Sequence, residues 1–207
     1  MKPAQERNNQ DEDWCFIPYN INSDERGKTF KQYIEDAHLD YNKLRDIQYL
    51  KENLSAIKNC YDNLPDGING NSMMVYSGPQ TNGHIIRYHS FDSCNRGCIV
   101  RNRYPKFMNR AACLFTGDIS LNETNLNNIA HPYKDFIGTI QVPHHGSVLS
   151  FNQSHFIQGP VFAPMSFGRD NTFGHPSAKV LDSLLRLYCV PIHIIDDMGS
   201  MYVQVIE

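Results

Sequence analysis

The feature that most constrains this chain is a change of sequence texture at Leu64-Pro65-Asp66-Gly67. Between Thr29 and Leu64, apolar and aromatic residues recur mostly at steps of three and four, which is typical of helices that bury one face. The proline and the Asp-Gly pair then supply a helix breaker and a turn. Beyond them come short β-type runs separated by glycine, proline and asparagine, so the sequence predicts an α/β or α+β fold.

Three segments follow from this boundary. Residues 1–26 show no periodicity and contain several turn formers, so we predict an irregular tail there. Residues 27–64 are predicted to form a helical lead segment, and residues 65–207 a strand-rich part with one further helix at Ala178–Tyr188. The strands of that part are predicted at residues 72–76, 111–115, 137–142, 161–167, 193–195 and 201–206.

Composition excludes two functional classes. The 19 Lys and Arg against 22 Asp and Glu give a net charge of −3, which does not fit a protein that coats nucleic acid with its whole surface. No apolar run reaches the roughly 18 residues that a membrane span needs, and the first residues are polar and acidic, unlike a signal peptide. We therefore expect a soluble, cytoplasmic protein with no membrane partner.

The six cysteines form neither a Cys-x-x-Cys pair nor a dense disulfide framework, so we expect reduced thiols. Cys94 and Cys98 have a spacing that could provide two ligands of a structural zinc site, but no second pair of cysteines completes such a site. The cysteines therefore predict no redox or structural metal function.

Basic residues do cluster locally, between His84 and Arg110. Arginines and a lysine alternate there with tyrosines and phenylalanines, which suits a phosphate backbone and stacked bases of a nucleic acid. Arg96, Arg101 and Arg103 are the candidate substrate-binding residues of this stretch. The alternative is a solvated insertion whose aromatic residues pack locally.

Three short motifs come directly after predicted strands, and each contains residues that bind metals. The motifs are Thr116-Gly117-Asp118, Val142-Pro143-His144-His145-Gly146-Ser147 and Asn171-Thr172-Phe173-Gly174-His175-Pro176-Ser177. Carboxylate oxygens and imidazole nitrogens hold Zn²⁺ or Mn²⁺, so we expect Asp118, His144, His145 and His175 to gather at one sheet edge as a metal site. A metal there would lower the pKa of a bound water and polarise an ester or phosphoryl oxygen.

Each motif also has a plainer structural interpretation. A Gly-Asp turn closes many strands, and His175 could merely pack beside a helix that Ser177 or Asn171 caps. Two adjacent histidines on an extended backbone point different ways, so of His144 and His145 we expect at most one to bind metal directly.

Together the motifs resemble the C-terminal half of hydrolases of the metallo-β-lactamase fold, in the branch related to the hydrolase domain of ComEC-type DNA-uptake proteins. The resemblance covers roughly residues 65–207 and is carried by residues 69–76, 114–119, 140–147 and 171–177. It implies an αββα sandwich with a dinuclear zinc or manganese site, in which Asp118 bridges two ions. His144 or His145, and His175, would lie in or beside the coordination shell.

The same resemblance implies a metal-dependent hydrolase, for this branch one that cleaves a phosphodiester in a nucleic acid or nucleotide. Asp118 and His145 would then be the catalytic residues, and Ser147 and Asn171 would bind substrate. Ser147 would orient the substrate or the backbone and would not attack. A serine or cysteine nucleophile is the weaker alternative, because the chain has no Gly-x-Ser-x-Gly turn and Cys113 lies in a buried strand pattern.

One part of the family pattern is missing. The motif His-x-His-x-Asp-His of the N-terminal half has no counterpart, since the nearest string, Asp36–Asp40, offers only His38, which we expect to be a solvated helix residue. The sandwich is therefore expected to be incomplete and the site mononuclear or empty of metal. Three explanations stay open: a truncated or split gene product, a partner chain that supplies the missing half, or an inactive half-domain used for binding or assembly.

Overall fold

The described part of the chain divides into two compact units. The computed structural model describes residues 14–19, 24–65, 72–80, 86–92, 98–101, 110–195 and 200–206, and of 86–92, 98–101, 205 and 206 only the backbone. A helical unit spans Asn20–Met73, and a sheet unit combines Met1–Tyr19 with Met74–Glu207. In neither unit do the described residues include a helix that is both long and apolar enough for a membrane span.

The helical unit is held by acidic caps and a small aromatic core. Its elements are helix α1 (Asp24–Asp36), a 3-10 helix (Tyr41–Arg45), helix α2 (Ile47–Glu52) and helix α3 (Leu54–Asp62). The Asp46 carboxylate accepts hydrogen bonds from the backbone N–H groups of Gln48 and Tyr49 at 2.8 and 3.2 Å, and so begins α2. The Phe30 ring meets the Tyr61 ring edge-on at 6.1 Å between centroids, and Ile34 of α1 is fully buried.

The helical spacing between Thr29 and Leu64 is thus confirmed, but two details differ. The first helix begins earlier, at Asp24, because Asp24 and Glu25 are acidic residues of a first turn, which favour a helix N-terminus. His38 is exposed as expected, yet it lies in the turn after α1 with a φ of 59°, and not inside the helix.

The sheet unit contains a six-stranded mixed sheet. Its strands are β1 (Trp14–Tyr19), β2 (Met74–Pro79), β5 (Ala112–Phe115), β6 (Ile137–Ile140), β7 (Phe162–Phe167) and β8 (Val190–Ile195). They lie in the order β1-β2-β5-β6-β7-β8. The first two pairings are antiparallel, whereas β5, β6, β7 and β8 run parallel to one another. The apolar runs at 137–140 and 161–165 are buried, as expected for strands of a parallel sheet.

A second sheet has three antiparallel strands. These are β3 (Ile86–Asp92), β4 (Cys98–Arg101) and β9 (Met201–Ile206), in the order β4-β3-β9. Side chains of β9 reach the six-stranded sheet: the hydroxyl groups of Thr139 and Tyr202 are 2.7 Å apart, and the Gln204 amide donates to the Ala111 carbonyl at 2.5 Å. The two sheets therefore face each other through a small polar cluster.

Short helices complete the sheet unit. Helix α4 (Leu126–Ile129) precedes β6, and helix α5 (Ala178–Arg186) joins β7 to β8 and contacts β8. In α5, Val180 and Leu184 are buried at a spacing of four residues, which is the apolar stripe that the sequence indicates. A mixed sheet with several helices confirms the α+β class.

The irregular tail predicted for residues 1–26 is wrong at residues 14–19, which form β1. Every residue of β1 pairs with β2, from Trp14 opposite Pro79 to Tyr19 opposite Met74. Trp14 also donates from its indole nitrogen to the Ser77 hydroxyl at 3.2 Å. Pro18 is tolerated because β1 is an edge strand of the sheet. Six residues whose partner lies far along the chain give no periodicity that sequence inspection could detect.

Candidate functional site

The three motifs lie at one edge of the six-stranded sheet. Strands β5, β6 and β7 are neighbours and run parallel, so their carboxyl ends share an edge. Each of them is followed by a loop that we name by its strand: the β5 loop (116–118), the β6 loop (141–150) and the β7 loop (168–177). Carboxyl edges of this kind are where open α/β sheets bind ligands.

The β5 loop is held by Gln141. The Gln141 side-chain oxygen accepts hydrogen bonds from the backbone N–H groups of Thr116 and Gly117 at 3.2 and 3.4 Å. The Thr116 hydroxyl in turn donates to the Gln141 carbonyl at 2.8 Å. These bonds fix the backbone immediately before Asp118, whose side chain is partly exposed.

The β6 loop turns through three consecutive left-handed residues. His144, His145 and Gly146 have φ angles of 48°, 54° and 80°. The expectation of an extended backbone at these two residues is therefore wrong, because tertiary bonds set this conformation. The expectation that at most one of the two histidines binds metal directly stays a prediction. The His144 N–H donates to the Gly117 carbonyl at 3.0 Å, and the Gly146 carbonyl accepts from the Ser177 N–H at 3.0 Å.

Both histidines of the β6 loop are anchored through Nδ1. The Nδ1 of His145 is 2.6 Å from the Ser166 carbonyl oxygen, and since a carbonyl can only accept, this nitrogen carries the proton. The Nδ1 of His144 is 2.9 Å from the Ser150 hydroxyl. In neutral His145 the Nε2 is consequently an unprotonated acceptor, the arrangement in which a histidine binds metal.

The β7 loop is held by Asn171. Its amide nitrogen donates to the carbonyls of Gly168 and His175 at 3.0 and 2.8 Å, and its oxygen accepts from the His175 N–H at 3.2 Å. The loop thereby brings the His175 ring to 5.8 Å from the His144 ring, between centroids. Burial, His144 and His145 lower the pKa of His175, which favours the neutral imidazole that can bind a metal.

Asp118 and His145 come closest together. Their Oδ1 and Nε2 atoms are 3.8 Å apart, below the sum of two zinc–ligand bonds, which is about 4.2 Å. The ring centroids of His144 and His145 are 6.3 Å apart, which is wider than the roughly 5 Å expected for two imidazoles on one tetrahedral zinc ion. Among these side chains, the Asp118–His145 pair is the one whose separation fits a single Zn²⁺ or Mn²⁺ ion.

The observed geometry provides one pair of ligand atoms for a metal ion, and not a complete coordination shell. Among the described residues, no group of three or more His, Cys, Asp and Glu side chains is already arranged to hold an ion. The four candidate ligands Asp118, His144, His145 and His175 are brought to one place as expected. Third and further ligands would have to come from small side-chain movements of His144 and His175, or from water.

The candidate substrate-binding residues fare differently. Ser147 is only 2% exposed and its N–H donates to the His144 carbonyl, so the structure supports its expected role towards the backbone and not a contact with substrate. The side-chain hydrogen bonds described for Asn171 hold the β7 loop, and its assignment to substrate binding stays a prediction. Arg96 and Arg103 lie outside the described residues, and of Arg101 only its place at the end of β4 is described.

A nucleophilic cysteine does not fit the surroundings of Cys113 or Cys189. Burial raises the pKa of Cys113 to about 11 and that of Cys189 to about 12, so both are protonated thiols at neutral pH. The Cys94–Cys98 pair cannot be compared, because Cys94 lies outside the described residues.

The positioning residues Gln141 and Ser150 were not predicted. A polar Gln141 between Ile140 and Val142 interrupts an apolar run, and that interruption is the signal that could have found it. Ser150 has no comparable signal, because its role depends on the left-handed turn that brings His144 back towards it.

Comparisons with known proteins add no relative to these observations. The chain matches no profile of a known protein family, and neither the curated proteins nor the solved structures contain a significant match to it.

Proposed function

We propose that the sheet unit carries a metal-dependent phosphodiesterase site at the β5, β6 and β7 loops. The observation that carries the proposal is the 3.8 Å approach of Asp118 Oδ1 to His145 Nε2, with the opposite ring nitrogen of His145 tied to the Ser166 carbonyl. A carboxylate and an imidazole oriented in this way fit a metal-ligand pair. The resemblance of the motifs to metallo-β-lactamase-fold hydrolases supports the same reading.

The roles of the residues follow from their positions. Asp118 and His145 would hold a Zn²⁺ or Mn²⁺ ion, with His144 and His175 beside it. Such an ion, when bound, lowers the pKa of a water ligand and polarises a phosphoryl oxygen. The chain's own contribution is orientation: Gln141 fixes the backbone before Asp118, and Ser150 and the Ser166 carbonyl fix the two imidazoles.

A phosphodiester substrate is the finer part of the proposal. It rests on the resemblance to the ComEC-type branch and on the alternation of basic and aromatic residues between His84 and Arg110, which suits nucleic acid. The αββα sandwich belongs to the same proposal, and the facing of the two sheets at Thr139 and Tyr202 supports it. A second metal position would need the missing His-x-His-x-Asp-His, which a partner chain could supply.

The test is metal content together with hydrolysis. Purified protein is analysed for zinc and manganese, and bis(p-nitrophenyl) phosphate hydrolysis is followed with each metal added. We expect about one ion per chain, and we expect Asp118→Asn to lower both metal content and turnover by at least roughly tenfold, since it removes a ligand charge.

Asp182→Asn is the matched control. Asp182 is an exposed carboxylate that pairs with Arg186 on α5, and such pairs contribute little to stability. It should leave metal content and rate unchanged. Protein that binds neither metal and hydrolyses nothing in their presence would contradict the proposal.

A binding or assembly module without catalysis is the second candidate function. The sequence observation that favours it is the missing first metal motif. The neighbouring reading frame discriminates the two: an upstream His-x-His-x-Asp-His favours a split enzyme, whereas its absence together with an inactive protein favours the module.

A further inference from the structure

An exposed aromatic ring stands next to the candidate metal ligands. Phe173 lies two residues before His175 in the β7 loop, and its side chain is 80% exposed. Its ring is almost parallel to the His175 imidazole, at 15° between planes and 6.1 Å between centroids. Single exposed apolar side chains are common on protein surfaces, so the feature that distinguishes Phe173 is its near-parallel position beside a candidate metal ligand.

The loop that carries Phe173 is closed at both ends. Asn171 donates to the His175 carbonyl at 2.8 Å and accepts from the His175 N–H at 3.2 Å, so residues 172–174 form a short loop tied at its base. A ring presented on a closed loop loses less conformational freedom on binding than a ring on a mobile segment. The loss of backbone entropy when a ligand binds to Phe173 should therefore be small.

Two further apolar side chains are exposed on the neighbouring β6 loop. Val148 is 45% and Leu149 82% exposed, directly after the buried Ser147. Two of the three loops that carry the candidate metal ligands therefore also carry exposed apolar residues. Ligand sites commonly pair a few convergent polar groups with apolar and aromatic walls.

We propose that Phe173 stacks on a nucleobase, so that the substrate of this site is a phosphodiester with a base next to the scissile phosphate. The inference rests on the proposed function, because the phosphate must lie at Asp118 and the histidines. A ring with one face towards His175 leaves the other face to a planar partner, and bases stack on such rings whatever their sequence. A flexible alkyl chain has no flat face with which to stack on the ring.

The test compares three diesters with the same leaving group. These are thymidine 5′-(p-nitrophenyl phosphate), methyl p-nitrophenyl phosphate and hexyl p-nitrophenyl phosphate, hydrolysed by the full chain with Mn²⁺. Phe173→Ala should raise KM for the thymidine diester by roughly 5- to 100-fold, the usual loss when one stacking ring is removed. KM for the methyl diester and kcat for both should stay as they are, and Phe173→Trp should keep the original KM.

Leu185→Ala is the matched control, because Leu185 is also a large exposed apolar residue but lies on α5. It should change none of the constants. Equal increases of KM for the thymidine and methyl diesters would show that Phe173 only supports the loop, and would overturn the inference. An increase for the hexyl diester as large as that for the thymidine diester would overturn it too, in favour of an alkyl group.

A second measurement keeps stacking separate from catalysis. If the original protein hydrolyses none of the diesters, the proposed function fails, and thymidylyl-(3′→5′)-thymidine is titrated into both proteins by calorimetry. A loss of affinity of roughly 5- to 100-fold in Phe173→Ala would still support stacking. Equal affinity, or no binding to either protein, would overturn it.

Discussion

The β6 and β7 loops bring histidines to the same place by different means. The β6 loop is held mainly by its backbone: His144 bonds to Gly117 in the β5 loop, and Gly146 bonds to Ser177 in the β7 loop. The β7 loop is held at its base by one side chain, the amide of Asn171. The conformation of the β6 loop therefore depends mainly on backbone hydrogen bonds to its neighbours, whereas that of the β7 loop depends on three hydrogen bonds of the Asn171 side chain.

The difference has an energetic meaning. Left-handed backbone at His144 and His145 costs on the order of 1–3 kcal/mol per residue and persists only where the surroundings impose it. Here the imposing contacts are the inter-loop bonds and the close packing of Gly146 against Pro176 and Met165. Damage to the β6 loop should therefore lower the stability of the whole sheet unit more than damage to the β7 loop, whose main effect should be local.

The largest expected effect is that of Gly146→Ala. A Cβ at this position would lie 2.9 Å from the Pro176 Cβ and 3.2 Å from the Met165 sulfur, and the φ of +80° is unfavourable for any L side chain. Strain and overpacking together should lower the free energy of unfolding by roughly 2–4 kcal/mol. Thermal denaturation followed by circular dichroism measures it, with a Tm lower by about 5–15 °C.

Gly174→Ala in the β7 loop separates strain from packing. Gly174 has a φ of +74°, close to that of Gly146, but no atom lies within 4 Å of the Cβ it would gain. This variant should lose only the conformational part, roughly 1–2 kcal/mol. Equal losses for the two variants would show that packing at Gly146 adds nothing, and the contrast between the loops would be wrong.

The next effect is that of Asn171→Ala. It removes two donated bonds and one accepted bond, and because the loop is partly exposed we expect about 1–2 kcal/mol of global stability to be lost. The larger change should be local, as faster amide hydrogen exchange of residues 168–177, with a Tm lower by about 2–8 °C.

Asn122→Ala is the matched control for the β6 loop. Asn122 lies outside this loop but holds it through its side chain, which donates to the Leu149 carbonyl at 2.8 Å. Because the β6 loop has its backbone bonds as well, hydrogen exchange there should hardly change. If it accelerates as much as in the β7 loop of Asn171→Ala, both loops depend on side-chain clamps and the comparison fails.

Sequence reasoning succeeded where structure is local or follows from strand direction. The helices between Asp24 and Asp62 depend on periodicity and on caps such as Asp46, both visible in the sequence. The proximity of Asp118 and His145 could be predicted because the carboxyl ends of neighbouring parallel strands lie at the same edge of a sheet.

It failed where distant partners decide the outcome. Strand β3 pairs with β9, with Ile86 opposite Ile206. Strand β1 pairs with β2, although all residues of the helical unit lie between them in the sequence. Neither strand has a long alternating pattern of its own. The left-handed turn at His144 and His145 likewise depends on hydrogen bonds to Gly117 and Ser150, and no local sequence pattern predicts those bonds.

The smallest expected effect is that of Ser150→Ala. Ser150 is almost buried, and its hydroxyl contacts His144 Nδ1 at 2.9 Å, so its removal should cost about 1 kcal/mol or less. Its backbone bonds to Ser147 and Leu121 remain, so the β6 loop should keep its shape. The specific change should be at His144 Nδ1, which loses its hydrogen-bond partner: nitrogen-15 NMR should show a changed Nδ1 resonance for His144, while that of His145, tied to a carbonyl, stays as it is.

Ser154→Ala, which removes an exposed hydroxyl that contacts Asn152, is the control and should leave both histidines unchanged. A stability loss as large as that of Gly146→Ala, or an unchanged Nδ1 resonance of His144, would contradict the role given to Ser150.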